Sequence, residues 1–337
     1  MTDHIVSLAQ IREARPYVAA RVHRTPVLSS ATAAAFVAAA TGVQVADGQV
    51  YVKAEHLQKT GSFKPRGMTW KIASLTADER QRGIITLSAG NAAQAYAWAG
   101  RTAGVPATVV MPAAAVRSKV DACRGYGAEV VLHGANVGEA LLEMERVRDA
   151  RGLTYCHPFD DPFVIAGHGS IGLELLEDLP EVDVVVVGVG GGGLISGIAA
   201  ALKELRPEVR VYGVEPEGSN AVSLAIERGE VVPIQPHSLA DGLGAPFAGA
   251  WTLAMVQRYL DGVILLDDPA ILAGMRFAAE RMKQVLEPAG AAALAALLAG
   301  RIPLRPGDRV AVVASGGNVE VSRIGELFAG ASALPGA

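Results

Sequence analysis

Cysteine is scarce in this sequence. The 337 residues include two, Cys123 and Cys156, which lie far apart and form no Cys-x-x-Cys pair. A disulfide framework and a cysteine-based zinc cluster are therefore both unsupported. Reduced cysteines are typical of a cytoplasmic protein, and we expect that location here.

Charge is also limited. Charged residues make up 19% of the chain, and 34 acidic against 30 basic side chains leave a net charge of -4. This balance lacks the basic footprint of a nucleic-acid partner. Residues 1–4 lack the basic and then apolar pattern of a signal segment. The longest apolar tract, residues 289–300, is too short to span a bilayer, so we expect no membrane partner.

Metal-binding and hydrolase patterns are missing too. The seven histidines form no His-x-x-x-His pair, which leaves a catalytic metal unsupported. No Gly-x-Ser-x-Gly elbow indicates a serine hydrolase. We interpret His157 and His168, near predicted strand and helix ends, as core or surface residues.

Hydrophobic residues are abundant, at 50% of the chain, and provide for a sizeable core. Strand-like and helix-like runs alternate in two series, over residues 83–150 and 153–314. They include a predicted strand at 107–111 and predicted helices at 250–259 and 270–285. This alternation predicts β-α-β units and parallel sheets. The apolar β-branched run at 182–187 is typical of a strand buried on both faces. Two α/β blocks with a cleft between them are expected.

The Lys64-Pro65-Arg66-Gly67 stretch immediately precedes a helix-like run at 68–75. Pro65 suits a first helical turn, so Lys64 lies where a helix begins. The partial positive charge of a helix start should lower the lysine pKa. An amine that is partly neutral can attack a carbonyl. Taken alone, Lys64 fits an ordinary surface lysine better.

The glycine run follows a predicted strand and opens a helix. Gly188-x-Gly190-x-x-Gly193, with Glu215 at the end of the next strand, satisfies the dinucleotide fingerprint in form. The consecutive glycines also suit a cradle of backbone N–H groups around a single phosphate. The run alone leaves both interpretations open.

Two further turns follow predicted strands at sheet edges where open α/β proteins bind ligands. In Ser88-Ala89-Gly90-Asn91, backbone N–H groups can hold a carboxylate, and the Asn91 amide can bond an aromatic hydroxyl; a plain helix cap is the simpler alternative. Ser315 opens a second such turn, Ser315-Gly316-Gly317-Asn318. Glu287, before Pro288, is either a charge favoured by a helix start or a buried carboxylate facing the cleft.

Together, these motifs resemble the fold type II pyridoxal-phosphate enzymes, in the branch of the threonine/serine dehydratases (ammonia-lyases) and serine racemases. The resemblance runs from about residue 25 to residue 318. It implies an α/β fold of two open parallel-sheet domains with helices on both faces, similar to the tryptophan synthase β subunit. Residues 1–80 and 155–337 would form the large cofactor-binding domain, and residues 81–154 a small mobile domain carrying the substrate carboxylate loop.

The resemblance also implies a role for each matching residue. Lys64 forms the Schiff base with pyridoxal 5'-phosphate and acts as general base, and Phe63 packs beside the cofactor ring. Asn91 bonds the ring hydroxyl, Ser315 bonds the ring nitrogen, and Glu287 lines the cofactor site. The phosphate is held by consecutive residues, which are Gly190, Gly191, Gly192, Gly193 and Leu194. The substrate carboxylate is held by the first turn, which is Ser88, Ala89, Gly90 and Asn91.

The implied function is elimination from a β-hydroxy amino acid, L-threonine or L-serine, to a 2-oxo acid and ammonia. Ala89 lacks the second serine with which serine racemases protonate the opposite face, so racemisation is disfavoured. Ala92 replaces a frequent histidine, which leaves the substrate side chain open. A racemase and a dehydratase of another 3-hydroxy amino acid (hydroxyaspartate or phenylserine type) remain alternatives.

The remaining expectations concern cations, assembly and regulation. Glu215 matches the first ligand of a divalent-cation site in some members, and Ser219 could offer a carbonyl. Ala221 stands where an aspartate is needed, so we predict no metal and leave dependence on a divalent or monovalent cation open. The resemblance suggests a homodimer with a small-molecule amino-acid substrate. The end of the chain leaves no room for a regulatory domain, so feedback control by isoleucine is not expected.

An NAD-dependent oxidoreductase using the glycine run and Glu215 is a second class. It accounts for neither Lys64 nor Ser315. A cofactor-free binding module is a third, and it would show no visible absorbance.

Overall fold

The computed structural model describes residues 4–334. Residues 1–3 and 335–337 lie outside the described residues. Most of residues 1–4, which are predicted to lack a signal segment, therefore lie outside the described range. Both ends of the predicted large domain also lie outside it.

The larger sheet has six strands in the order β1-β2-β10-β7-β8-β9. Its strands are β1 Val27–Ser30, β2 Val50–Lys53, β7 Val184–Gly188, β8 Arg210–Pro216, β9 Gly262–Leu266 and β10 Val310–Val313. All neighbouring pairs are parallel except β1 and β2. β1, which the sequence patterns did not predict, is a short edge strand whose last residue, Ser30, already caps the next helix.

The smaller sheet has four strands, all parallel, in the order β5-β4-β3-β6. They are β3 Ile84–Leu87, β4 Ala107–Met111, β5 Glu129–Leu132 and β6 Thr154–Tyr155. The predicted architecture of two parallel-sheet α/β layers is therefore confirmed, with β1 as the antiparallel exception. The domain boundaries at 80/81 and 154/155 stay a prediction.

Helices connect these strands. They are α1 Leu8–Ala19, α2 Ala31–Thr41, α3 Pro65–Ala73, α4 Ala77–Arg82, α5 Asn91–Ala103, α6 Arg117–Gly125, α7 Val137–Arg151, α8 Pro162–Asp178, α9 Gly193–Leu205, α10 Ala221–Arg228, α11 Ala250–Tyr259, α12 Asp268–Phe277, α13 Pro288–Leu298 and α14 Ile324–Ala329. Within residues 4–334, no helix combines the length and the apolar character needed to cross a membrane.

The larger sheet is covered on both faces. Residues of α2, α12 and α13 form one core with the sheet, and residues of α1, α8, α9 and α11 form another. α13 is buried along its whole length, which its alanine and glycine content permits because small side chains let neighbours approach closely. These layers place the carboxyl ends of β7 and β10, and the turns that follow them, at one edge of the sheet.

One predicted helix is shorter than expected. The run at 270–285 becomes α12, which ends at Phe277, followed by a π-helical turn at Ala278–Met282. Lys283 then has a left-handed backbone, with φ of 58°. This turn redirects the chain toward Glu287.

Candidate active site

Lys64 lies at the N-cap of α3, where the sequence placed it. Its amine donates a hydrogen bond to the Pro158 carbonyl oxygen, with the two atoms 2.8 Å apart. The side chain keeps some exposed surface at the cleft, but removal of water from the amine lowers the lysine pKa to about 8. Burial, which the sequence could not show, therefore accounts for the lowered pKa.

Phe63 joins Lys64 to the end of β10. Its ring centroid lies 5.1 Å from the Lys64 Nζ, and its backbone N–H donates to the Ser315 carbonyl oxygen at 3.0 Å. Ser62 forms an isolated β-bridge with Gly316. Ser315, which is itself buried, is thus held beside the Lys64 loop.

A buried charge network lies behind Lys64, and sequence reasoning missed it. The Arg66 guanidinium bonds both oxygens of Glu55, each at 2.8 Å, and both oxygens of Glu174, at 2.7 and 2.9 Å. Lys53 adds an ion pair to Glu174 at 2.7 Å. The sequence signal was Arg66 itself, two residues after Lys64, but Glu174 lies 108 residues further along the chain.

The glycine run lies between β7 and α9 and packs against Phe159. A Cβ atom on Gly191 would lie 2.4 Å from the Phe159 ring, and one on Gly193 would lie 2.6 Å from the Phe159 carbonyl oxygen. Gly192 is the N-cap of α9 and has φ of 90°, a conformation that side chains disfavour. Because a glycine cap offers no side-chain acceptor, the first N–H groups of α9 are suited to an anion.

Asn91 connects the smaller sheet to the larger one. Its amide nitrogen donates to Glu287 Oε1 at 2.6 Å, and its amide oxygen accepts from Asn318 at 2.8 Å. Asn318 also donates to the Thr60 carbonyl oxygen at 2.7 Å. The structure thus brings the Ser88 turn, Glu287 and the Ser315 turn together.

Glu287 is buried, which supports the cleft-facing interpretation. It is also the N-cap residue of α13, but its side chain makes no capping hydrogen bond. Burial raises the pKa of its carboxyl to about 7, and nearby Asp241 acts in the same direction.

The Ser88-Ala89-Gly90-Asn91 turn follows β3, as predicted, and all four residues are partly exposed. The Ser88 hydroxyl accepts from the Gly90 N–H at 3.2 Å. Asn91 then begins α5. The local helix-cap role and a ligand-facing role are compatible, because only one of the first amides is used by the side chain.

A cavity of about 430 Å³ opens beside Glu287, between α6 and the loop before α11. Lys119 of α6 forms an ion pair with Asp241 across it, at 2.5 Å. Gln94 and Asn318 also line it. The site therefore adjoins open space between the two sheets.

Glu215 lies apart from this cluster. Its carboxylate accepts from the Val222 N–H at 2.8 Å, the Ser223 N–H at 2.8 Å and the Ser223 hydroxyl at 2.6 Å. Ala221 stands at the start of α10 and offers no side-chain ligand. Across residues 4–334, no group of three or more His, Cys, Asp or Glu side chains is arranged to hold a metal.

Comparisons with known proteins identify the family to which this chain belongs. The model of the pyridoxal-phosphate dependent enzyme family matches residues 18–316. The chain therefore belongs to this family, and pyridoxal phosphate is its cofactor. Membership favours this cofactor over a nicotinamide dinucleotide at the glycine run.

Individual relatives cover nearly the whole chain. The L-threonine ammonia-lyase of Thermotoga maritima is 41% identical over 96% of this chain and 78% of its own. The catabolic L-threonine dehydratase TdcB of Staphylococcus aureus is 39% identical over 96% of this chain and 92% of its own. The structure of maize serine racemase is similar with a TM-score of 0.88 and 35% identity, over 95% of this chain and 96% of its own.

The residues present fit this cofactor. The uncapped start of α9 suits a phosphate. The enclosed Lys64 amine, with its pKa of about 8, suits bonding to an aldehyde. These two features lie close together because Lys64 bonds Pro158 and the next residue, Phe159, packs on Gly191.

Proposed function

We propose that this chain is an ammonia-lyase that converts L-threonine or L-serine to a 2-oxo acid and ammonia by α,β-elimination. The observation that carries the proposal is the enclosed amine of Lys64, whose pKa of about 8 suits a general base near neutral pH. The identity with the threonine ammonia-lyase of T. maritima supports the choice of substrate.

Each residue has a defined task in this proposal. Lys64 holds the cofactor and takes the Cα proton on its Nζ. The glycine run, Gly190 to Gly193, and Leu194 bind the phosphate through backbone N–H groups at the start of α9. When bound, pyridoxal phosphate withdraws electrons from the substrate Cα, which weakens the Cα–H bond.

The other residues orient the two ligands. The turn from Ser88 to Asn91 offers N–H groups to the substrate carboxylate. Ser315 offers a neutral hydroxyl to the ring nitrogen, which leaves the ring a weaker electron sink and favours prompt elimination. Asn91, held in place by Glu287, would hydrogen-bond the ring hydroxyl.

A serine racemase is the second candidate, because the maize enzyme has a similar fold over 95% of the chain. Racemisation needs an acid on the face opposite Lys64. The Ser88 turn has Ala89 at the position where the serine racemases that this chain resembles have a second serine. Ala89 has no proton to give, and this favours elimination.

The test is a panel of β-hydroxy amino acids, including L-threonine, L-serine, 3-hydroxyaspartate and phenylserine. We expect release of 2-oxo acid and ammonia, fastest with threonine or serine, and no D-amino acid on chiral analysis. K64A should lose both ammonia release and the visible absorbance of the bound cofactor. Turnover that persists in K64A would refute the assignment of Lys64.

The A89S variant supplies a matched control for reaction type. It restores a hydroxyl at the proposed opposite face without altering Lys64. We expect racemisation to become detectable beside elimination. If wild-type protein already racemises faster than it eliminates, the racemase is the better description.

We also propose a homodimeric, cytoplasmic enzyme in which residues 81–154 form a small mobile domain. The free, buried thiols of Cys123 and Cys156 support a reducing compartment, and the separate sheet at 84–155 supports the domain. Light scattering would measure the assembly. Hydrogen exchange with and without substrate would show whether the 81–154 segment moves.

A further inference from the structure

His168 is a buried residue that the proposed function does not use. It lies within α8 and is fully buried. Among the described residues, neither of its ring nitrogens has a hydrogen-bond partner. An unpaired buried polar group is destabilising, so any favourable contribution of His168 comes from the packing of its ring.

Glycines bring His168 against the start of α3. A Cβ on Gly67 would lie 2.5 Å from the His168 Cε1, and one on Gly167 would lie 2.7 Å from the Gly67 Cα. Only glycine at both positions lets the two backbones approach this closely. The His168 ring is therefore pressed against the helical turn that begins at Lys64.

The Phe63 ring lies near both the His168 ring and the Lys64 amine. The His168 and Phe63 ring centroids are 4.8 Å apart, with the planes at 66°, an edge-to-face arrangement that stabilises aromatic pairs. Phe63 lies in turn 5.1 Å from the Lys64 Nζ. Since Phe63 is only partly buried, the His168 contact fixes the inner side of its ring.

The charges around His168 keep it neutral. Burial lowers its pKa well below the usual value, and the cations Lys64 and Arg66 of the α3 segment act in the same direction. Arg66 is already paired with Glu55, from the loop before α3, and with Glu174 of α8. A neutral imidazole adds no further cation beside Lys64.

We propose that His168 is a positioning residue whose ring holds the Phe63 ring against Lys64 and so keeps water away from the Lys64 amine. The role belongs to the ring and not to its nitrogens. It rests on the proposed role of Lys64, and its test is made without substrate so that the two can fail separately.

The test compares H168F, which keeps an aromatic ring, with H168Q, which has none. The full chain is freed of cofactor, its fold is checked by circular dichroism, and Lys64 is labelled with acetic anhydride between about pH 6 and pH 10. Peptide mass spectrometry gives the midpoint of Lys64 reactivity. In wild-type protein we expect the midpoint at about 8.

In H168Q we expect the midpoint to rise by about one pH unit, a tenfold loss of neutral amine at pH 7. H168F should keep the wild-type midpoint and should unfold at the same or a higher temperature. L175A, which truncates a fully buried residue of the same helix, should lower the unfolding temperature without moving the midpoint.

A merely structural role predicts a different pattern. The proposal is overturned if H168Q keeps the wild-type midpoint, if H168F shifts as far as H168Q, or if L175A shifts as well. Should H168Q not fold, F63L supplies the arm, since it removes the same ring contact and must raise the midpoint. In the cofactor-bound protein, H168Q should also shift the pH at which the visible band changes, and H168F should not.

Discussion

Replacing Arg66 by methionine tests the buried charge network behind Lys64. The Arg66 guanidinium is fully buried and forms two forked contacts, with Glu55 and Glu174. R66M keeps much of the side-chain volume but leaves Glu55 buried without its cation. Lys53 still pairs with Glu174, so the damage is concentrated at Glu55.

The expected loss is about 3–5 kcal/mol in the free energy of unfolding, because a buried charge left without its partner cannot be solvated. For a chain of 337 residues, that corresponds to a fall of roughly 4–7 °C in the unfolding temperature. Scanning calorimetry and urea unfolding of the cofactor-bound protein measure both quantities. The stability of R66K should lie between those of R66M and wild type, because lysine keeps the positive charge but cannot make the forked contacts.

R146M is the matched control. Arg146 pairs with Glu143 on the surface of α7 with its side chain 67% exposed, and such pairs contribute within about 0.5 kcal/mol. If R66M unfolds within about 1 kcal/mol of R146M, the buried network does not stabilise the protein and the reasoning fails.

Three further predictions follow from the site. Burial raises the Glu287 pKa to about 7, so the folded state holds a proton that the unfolded state loses, and this carboxyl contributes less stability as pH rises from about 4.5 to 7. In urea titrations across that pH range, the free energy of unfolding of E287Q should therefore gain up to about 3 kcal/mol relative to wild type. A difference between the two proteins that does not depend on pH would contradict the assignment. Because Gly192 has a positive φ at the start of α9, G192A should weaken cofactor binding at least about tenfold. The control is G229A, at a glycine with φ of 74° and open space where a Cβ would lie, which should cost only about 1–2 kcal/mol of stability. Equal cofactor affinity in the two variants would count against the phosphate cradle. Because the Lys64 pKa is lowered to about 8, the rate at which the cofactor-free chain binds pyridoxal phosphate should rise about tenfold per pH unit below pH 8 and level off above it. Stopped-flow absorbance measures this rate, and a rise that continues to about pH 10 would contradict the lowered pKa.

Local patterns were enough to predict most of the fold. The strand at 107–111 and the helix at 250–259 match β4 and α11 residue for residue, because strand and helix periods are written in consecutive residues. β1 was missed because only its first two residues, Val27 and Leu28, are apolar, and its pairing depends on Val50–Lys53 further along the chain. Pairing between distant segments leaves no local pattern.

Some residues of the candidate site could likewise be found from local motifs, and others could not. Lys64, the glycine run and the Ser315 turn could be found from short motifs, since each needs particular residues next to one another. The Arg66 network could not, because its partners Glu55 and Glu174 meet only after α3 packs on α8. A lone arginine in sequence is usually a surface residue, and only the structure shows that this one is buried.

The link between the two sheets depends on a glycine as much as on the polar residues. A Cβ on Gly316 would lie 2.1 Å from Glu287 Oε1, so only glycine leaves room for the carboxyl that holds Asn91. The bond from Asn91 to Glu287 survives protonation, because a neutral carboxyl still has an accepting oxygen. Near its pKa of about 7, Glu287 can therefore gain or lose a proton while the Ser88 turn stays attached to the larger sheet. The charge of Glu287 can then change with pH without loosening the loop proposed to bind the substrate carboxylate.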